Sequence, residues 1–255
     1  MTIYYNKYLK YKQKYLNLSN NIQLGGGNKS DLYFIPTFGN KDKQDKLLLD
    51  LPDITTDENF EMSQNGSREI FSMQIVPYIE ATFRKPIQEL ILTESNAGFG
   101  GFTYLFLSLF KSVNIVELEE SRLDIIKSNI KIYEKHLNFK FSYNFFHENY
   151  CELASKLEQD IVFADFPWGG KSYKDHKKLR LSINNSKGDK VLLDDIIVEL
   201  FRAKKCKMFI FLKPFNFDID ELLKTLDTAR LIYTWIDIKK YKGREPSIFV
   251  ITMIS

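Results

Sequence analysis

Asp165-Phe166-Pro167-Trp168-Gly169-Gly170 brings a carboxylate, a proline-stiffened turn, an indole and two glycines into one short stretch. It follows the apolar run Ile161-Val162-Phe163-Ala164, itself preceded by Asp160, a pattern that reads as a buried strand. A loop of this make-up at a strand end can hold a flat ring, stacking it on Trp168 while Asp165 accepts a hydrogen bond from an exocyclic amine. Such an amine on guanine or adenine is a poor nucleophile, because its lone pair is delocalised into the ring. Hydrogen bonds from the amine to Asp165 Oδ and to the Phe166 carbonyl localise that pair, and Pro167 biases Phe166 towards the extended backbone this needs. In-line positioning then supplies roughly 7–11 kcal/mol of the barrier to group transfer. A strong general base is not needed, since the proton becomes acidic once the amine is alkylated. Stacking on an aromatic ring is worth ~1–3 kcal/mol per base, and a positively charged base adds a cation–π term of ~0.5–2 kcal/mol. The bland alternatives are a turn cap for Asp165 and core packing for Trp168.

A second constellation lies upstream in Thr93-Glu94-Ser95-Asn96-Ala97-Gly98-Phe99-Gly100-Gly101-Phe102. Gly98, Gly100 and Gly101 let the backbone from Ala97 onward pass close to a ligand before a helix begins. A tight strand–helix turn explains such glycines equally well, but an acid, Glu117, follows about 20 residues on, where doubly wound sheets bind ribose hydroxyls. Dinucleotide sites set Gly-x-Gly-x-x-Gly against a pyrophosphate. Here the glycines are bunched, and Glu94 precedes them. An acid at that place suits the sulfonium and amino group of S-adenosylmethionine better than an anionic pyrophosphate. Farther along, His147-Glu148-Asn149-Tyr150 falls where an adenine ring would be read. Asn149 can accept from the adenine amine or cap a helix, and Tyr150 can pack against the ring.

These sites require strands that deliver loops to one edge. From residue 88 onward strand-like and helix-like segments alternate. Strands are predicted at 89–93, 114–118, 140–145, 160–164, 208–212, 231–238 and 247–254. Helices are predicted at 102–110, 121–136, 151–157, 191–203 and 218–227. The alternation implies a mostly parallel sheet with helices on both faces, closed by a hairpin that adds an antiparallel strand. A further helix is predicted at 69–83, ahead of Pro86. Phe215 and Trp235 read as core residues.

Residues 1–30 carry five lysines and no acid, whereas the remainder is close to neutral at −2. The overall charge of +3 therefore does not by itself announce a nucleic-acid binder. Tyr4, Tyr8, Tyr11, Tyr15 and Leu18 line one face of an amphipathic helix, and Gly25-Gly26-Gly27 opens a linker. The leader resembles a Tyr/Lys-rich, glycine-terminated segment found in proteins of mimivirus-like giant viruses. Residues 31–66 are polar and irregular. Two cysteines, Cys151 and Cys206, in a chain of 255 residues argue for reduced thiols and an intracellular setting. His136, His147 and His176 show no metal-ligand spacing, no apolar run approaches the ~20 residues of a membrane span, and no signal sequence is expected. The loop at 171–190 carries Lys171, Lys174, Lys177, Lys178 and Arg180, able to neutralise phosphates or to form a solvated lid. Lys239, Lys240, Lys242 and Arg244 form a second basic candidate.

At these residues the chain resembles trimethylguanosine synthases. The resemblance spans residues 65–255. Their Asp/Ser-Pro-Pro-Trp-Gly-Gly loop followed by Tyr is matched by Asp165 to Gly170 and then Tyr173. Their acid-x-x-x-Gly-x-Gly-Gly motif is matched by Glu94, Gly98, Gly100 and Gly101. Their ribose acid falls on Glu117, and Ile210-Phe211-Leu212-Lys213-Pro214 is similar to their motif around a Leu-Pro. Two positions depart: Phe166 replaces the first proline, and Asn149 replaces an acid at the adenine. The resemblance implies an α/β, Rossmann-like, seven-stranded class I S-adenosylmethionine-dependent methyltransferase fold with a small N-terminal helical extension. The expected units are a leader and linker at 1–30, an extension at 31–85 and the methyltransferase domain at 86–255. It further implies methylation of guanine N2 in the 7-methylguanosine cap of RNA. Asp165, Phe166 and Pro167 would be catalytic; Trp168, Tyr173 and Lys171 would bind substrate. Glu94, Ala97, Gly98, Gly100, Gly101, Glu117, Asn149 and Tyr150 would hold the cofactor. The implied partner is capped RNA or a cap nucleotide, without a membrane. The chain is expected to be a monomer whose leader can dock a partner, in host cytoplasm or virion. Internal N6-adenine or guanine-N2 methylation, or cap binding without turnover, are the alternatives.

Overall fold

The computed structural model describes residues 71–238 and 246–254. The leader, the linker, the segment at 31–66 and the basic cluster at 239–244 lie outside the described residues. Among the described residues nine strands, β1 Ile91–Glu94, β2 Ser112–Val116, β3 Tyr143–Phe146, β4 Ile161–Ala164, β5 Ser182–Asn184, β6 Lys190–Leu192, β7 Met208–Lys213, β8 Tyr233–Ile238 and β9 Ser247–Met253, alternate with six helices. The helices are α1 Val76–Phe83, α2 Thr103–Leu109, α3 Glu120–Leu137, α4 Tyr150–Leu153, α5 Leu193–Arg202 and α6 Ile219–Thr228.

Seven strands form one sheet in the order β3-β2-β1-β4-β7-β9-β8. The first five run parallel, and β9 runs antiparallel to both neighbours. Helices cover both faces, which explains why β4 and β7 are apolar runs without alternation and are buried throughout. The chain moves outward from β1 to β2 and β3, then returns to place β4 on the other side of β1. This reversal puts the loops after β1 and β4 side by side at the carboxyl edge, where open α/β sheets bind their ligands. The register pairs Glu94 with Phe163, and the Ser95 N–H donates to the Phe163 carbonyl at 2.9 Å.

One core joins α1, α2 and α3 to the sheet, with Phe71, Phe102, Phe106 and Phe163 in edge-on, stacked or tilted contacts. The other joins α4, α5 and α6 to the opposite face. In α5 the buried positions Leu193, Ile196, Ile197, Leu200 and Phe201 repeat at helical spacing. The described part of the expected extension is therefore built into the sheet's own core, with Phe71, Ile75 and Ile79 fully buried.

Several elements differ from the sequence expectation. The predicted helix at 69–83 contains a π-turn, Phe71–Ile75, before α1. Pro77 has no N–H to donate, so the ladder widens just ahead of it. A 3-10 turn at Ile87–Glu89 delays β1. Of the predicted helix at 151–157 only three residues are α-helical, because α4 runs from Tyr150 to Leu153. The region at 171–190 is not an open loop. It holds a 3-10 turn, Gly170–Asp175, and then β5 paired antiparallel to β6, so that α5 starts at Leu193 instead of 191. Asn185 Oδ1 accepts from the backbone N–H groups of Lys187 and Asp189 at 3.0 and 2.8 Å, the self-bonding turn that asparagine favours. Trp235 stacks on Phe249 at 5.2 Å, as a core residue would. Phe215 is 64% exposed, against the expectation that it packs inside.

Candidate active site

The loop after β1 is shaped by its carboxylates. Glu94 ends β1 at 2% exposure, and its Oε2 accepts from Thr103 Oγ1 at 2.6 Å. The Ala97 N–H donates to the Val116 carbonyl at 3.0 Å, tying the loop to β2. Glu117, just beyond β2 and 6% exposed, accepts from the Gly98 N–H at 2.7 Å and from the Glu119 N–H at 2.9 Å. Each carboxylate oxygen has more than one acceptor direction, so Glu117 shapes both loops and still has capacity for a diol. Gly100 has φ +85°, a left-handed backbone that favours glycine, and a Cβ there would crowd Ile126 Cγ1 at 3.1 Å. Gly101 continues the turn into α2.

Leu118 is a site feature missed in the sequence. It is 60% exposed beside Glu117, and its carbonyl lies 2.9 Å from His147 Nε2, which fixes the loop after β2 to the loop after β3. An aliphatic side chain exposed next to a buried carboxylate can cover one face of a flat ring. The signal was an apolar residue directly after the acid, which resembled the end of a strand.

At 149–150 the two residues separate in role. Asn149 caps α4, with Oδ1 accepting from the Cys151 N–H at 3.4 Å and the Cys151 thiol at 3.2 Å. Its Nδ2 donates to the Asn184 carbonyl on β5. Tyr150 is 1% exposed, in the second core, with its hydroxyl on Gln159 Oε1 at 3.3 Å; burial pushes its phenol well above the ordinary range. This place leaves no face of the ring for a ligand, which corrects the expectation that Tyr150 packs on adenine.

The loop after β4 carries Asp165 half-buried at its start. The Phe166 ring is 1% exposed and inside the second core, so it anchors the loop instead of crowding the crevice. Pro167 is exposed. Trp168 is half-buried and touches both cores; its Nε1–H is buried and finds no acceptor among the described residues. Gly169 and Gly170 take φ +91° and +69° with open space around them, so backbone freedom sets the need for glycine here. Lys171 falls in the 3-10 turn that follows. Tyr173 then presents its ring edge-on to Trp168, centroids 5.2 Å apart.

Three clamps hold this region. Asn216, in the loop after β7, donates through Nδ2 to the carbonyls of Tyr173 and His176, both at 2.7 Å. Leu179 pairs with Phe217. Arg180 reaches Asp194 at the start of α5; Asp194 is 1% exposed, and burial pushes its carboxyl up despite the guanidinium. The hairpin is fastened at its far end as well, where Glu152 accepts from the Ser186 backbone N–H and hydroxyl, holding its carboxyl below the usual range. Of the expected basic run, Lys178 is paired with Asp218 and Asp220 and Arg180 with Asp194. Lys174 lies 5.6 Å over the Tyr173 ring, and Lys177 is exposed.

A family model described as RNA cap guanine-N2 methyltransferase matches residues 90–251. An uncharacterized protein of Acanthamoeba polyphaga mimivirus is 33% identical over 164 residues, 61% of this chain and 60% of that protein. The chain thus spans less than two thirds of that relative's length. Among solved structures, an rRNA methylase from Streptococcus thermophilus is 10% identical, with 79% of this chain and 99% of that chain covered and a TM-score of 0.45. A precorrin-6y C5,15-methyltransferase from Geobacter metallireducens is 14% identical, with 80% and 95% covered and a TM-score of 0.46.

Proposed function

We propose that this chain, which belongs to the RNA cap guanine-N2 methyltransferase family, transfers a methyl group to the exocyclic N2 amine of 7-methylguanosine in an RNA cap. Its fold is the seven-stranded, Rossmann-like class I fold of S-adenosylmethionine-dependent methyltransferases, and its family is one of methyltransferases. The observation that carries the finer reading is the juxtaposition of two loops on adjacent strands. The acid-and-glycine loop of Glu94 and Gly98 leaves β1, and Asp165 to Gly170 leaves β4, in direct register.

The donor set fits S-adenosylmethionine. Buried carboxylates at Glu94 and Glu117 suit a positively charged amino acid end and a ribose diol, and the positive-φ glycines allow a close backbone approach. When bound, the cofactor supplies an electrophilic methyl carbon on a sulfonium. Glu94 would face the amino group, Glu117 would hold the ribose, and Leu118 would cover one face of the adenine. Asn149 would accept from the adenine amine through Oδ1 in exchange for the weak contact from the Cys151 thiol.

On the acceptor side Trp168 stacks the guanine, and Tyr173 braces the indole. Asp165 and the Phe166 carbonyl accept from N2 and localise its lone pair towards the crevice. Phe166 in place of proline keeps this geometry, because its ring is fixed in the core and Pro167 stiffens the next bond. The similarity to a mimivirus protein supports a viral origin, and we place the reaction in the host cytoplasm or the virion. No helix of the described residues is long and apolar enough to cross a membrane.

Asp165→Asn and Asp165→Ala test the assignment. Turnover should fall by a hundredfold or more, on the order of 3 kcal/mol, while calorimetric affinity for S-adenosylhomocysteine stays near wild type. Near-normal turnover in Asp165→Ala would remove the amine-polarising role.

A further inference from the structure

We propose that Phe215 is a second nucleobase platform, which stacks the nucleotide joined to the target guanosine and so selects capped RNA over the free cap nucleotide. The proposal rests on the cap-methylation reading above and extends it from the guanosine to the strand behind it.

Phe215 stands in the loop after β7, the strand beside β4, so it emerges at the same carboxyl edge as Asp165. Ala164 and Phe211 are register partners, and the two loops begin just beyond them. The ring is 64% exposed, although it is held on a firmly anchored segment. Before it, Lys213 is 3% exposed and paired with Asp237 at 3.3 Å. After it, Asn216 is 8% exposed and binds the Tyr173 and His176 carbonyls. Phe217 is 6% exposed, with its ring 5.3 Å from Phe211. An aromatic side chain pinned outward between buried anchors differs from an apolar residue on a loose loop tip.

Its neighbours say what it would hold. The Tyr173 centroid lies 6.5 Å from Phe215 and 5.2 Å from Trp168, edge-on to both, so Tyr173 links the other two rings. Lys174 lies over the middle ring, and Lys177 is exposed just beyond the end of that turn. Successive aromatic faces flanked by cations are how single-stranded nucleic acid is bound without a sequence code, the rings taking bases and the cations the phosphates. A folded protein partner would need a far larger apolar face than one ring provides. The shared function of Asn216 follows: it locks the loop carrying Phe215 to the turn carrying Tyr173, which fixes the spacing of the row.

The test is the equilibrium binding of 7-methyl-GDP and of a short 7-methylguanosine-capped RNA to the full chain, comparing wild type with Phe215→Ala and Phe215→Trp. Phe215→Ala should weaken capped-RNA binding by about tenfold, with a range of ~5- to 150-fold for loss of one stacked base. It should leave 7-methyl-GDP affinity unchanged, and Phe215→Trp should restore capped-RNA binding. Equal loss on both probes, or no loss on either, overturns the proposal. If wild type binds capped RNA in a Phe215-dependent manner yet transfers no methyl group, the cap-methylation reading fails and the platform stands. If wild type binds neither probe, both fall.

Discussion

Glu117→Ala removes the carboxylate on which the proposed cofactor half of the site turns. The carboxylate is 6% exposed and receives the Gly98 and Glu119 N–H groups, while its remaining lone pairs are assigned to a ribose diol. Two hydrogen bonds to a charged group are worth ~1.5–3 kcal/mol each. Their loss predicts a rise in Kd for S-adenosylhomocysteine of roughly a hundredfold at least. Glu117→Gln keeps one acceptor oxygen but turns an amide donor towards one of the backbone N–H groups, so about half the effect remains, on the order of tenfold. Isothermal titration calorimetry reads both, with circular dichroism to check that the fold survives. Stability should fall by only ~1–3 kcal/mol in Glu117→Ala, because two partly buried backbone donors lose their partner. A folded Glu117→Ala protein that bound S-adenosylhomocysteine like wild type would refute the assignment of the crevice to this cofactor.

Trp168→Ala should weaken 7-methyl-GDP binding by about tenfold or more, from loss of stacking and cation–π attraction, with Trp168→Phe intermediate; calorimetry would show an inert position if neither changed. Arg180→Ala strips the counter-charge from a carboxylate that is 1% exposed. Denaturant unfolding at neutral pH should show a loss of ~3 kcal/mol, larger than that of Asp194→Asn, and the reverse order would mean the ion pair does not hold the loop. Burial raises the Asp194 carboxyl in the folded protein, so its contribution to stability is full below the unfolded value near 3.8 and declines as pH rises through the folded value. Asp194→Asn should therefore gain stability relative to wild type between mildly acidic and neutral pH, seen as converging or crossing unfolding midpoints.

Much of the fold could be read from residue patterns because parallel strands covered on both faces are apolar throughout, as in Ile161-Val162-Phe163-Ala164, and the helices between them keep a regular spacing. The site loops could be read for the same reason. Once β1, β2 and β4 are placed, Glu94, Gly98, Glu117 and Asp165 must fall at their carboxyl ends. What stayed hidden depends on contacts distant in sequence. β5 and β6 have three residues each, too few for a period, and they are held by Asn149, Glu152 and Asp194 from other elements. Tyr150 and Phe215 each lie on the opposite side of the surface from the sequence expectation, because position in a loop does not say which way a ring turns. Neighbours decide that: Gln159 draws Tyr150 inward, and the anchoring of Asn216 and Phe217 leaves Phe215 outside. Pro77 interrupts a helical pattern that its apolar neighbours otherwise continue.

The central claim is that the methyl group goes to guanine N2 of a 7-methylated cap. Incubating the purified protein with labelled S-adenosylmethionine and 7-methyl-GDP, GDP and uncapped RNA as competing acceptors tests it most directly, with digestion and separation of the products. The account predicts label in N2-methylated 7-methylguanosine, little in GDP and none in the RNA. Label in adenine or internal guanine, with 7-methyl-GDP untouched, would contradict it.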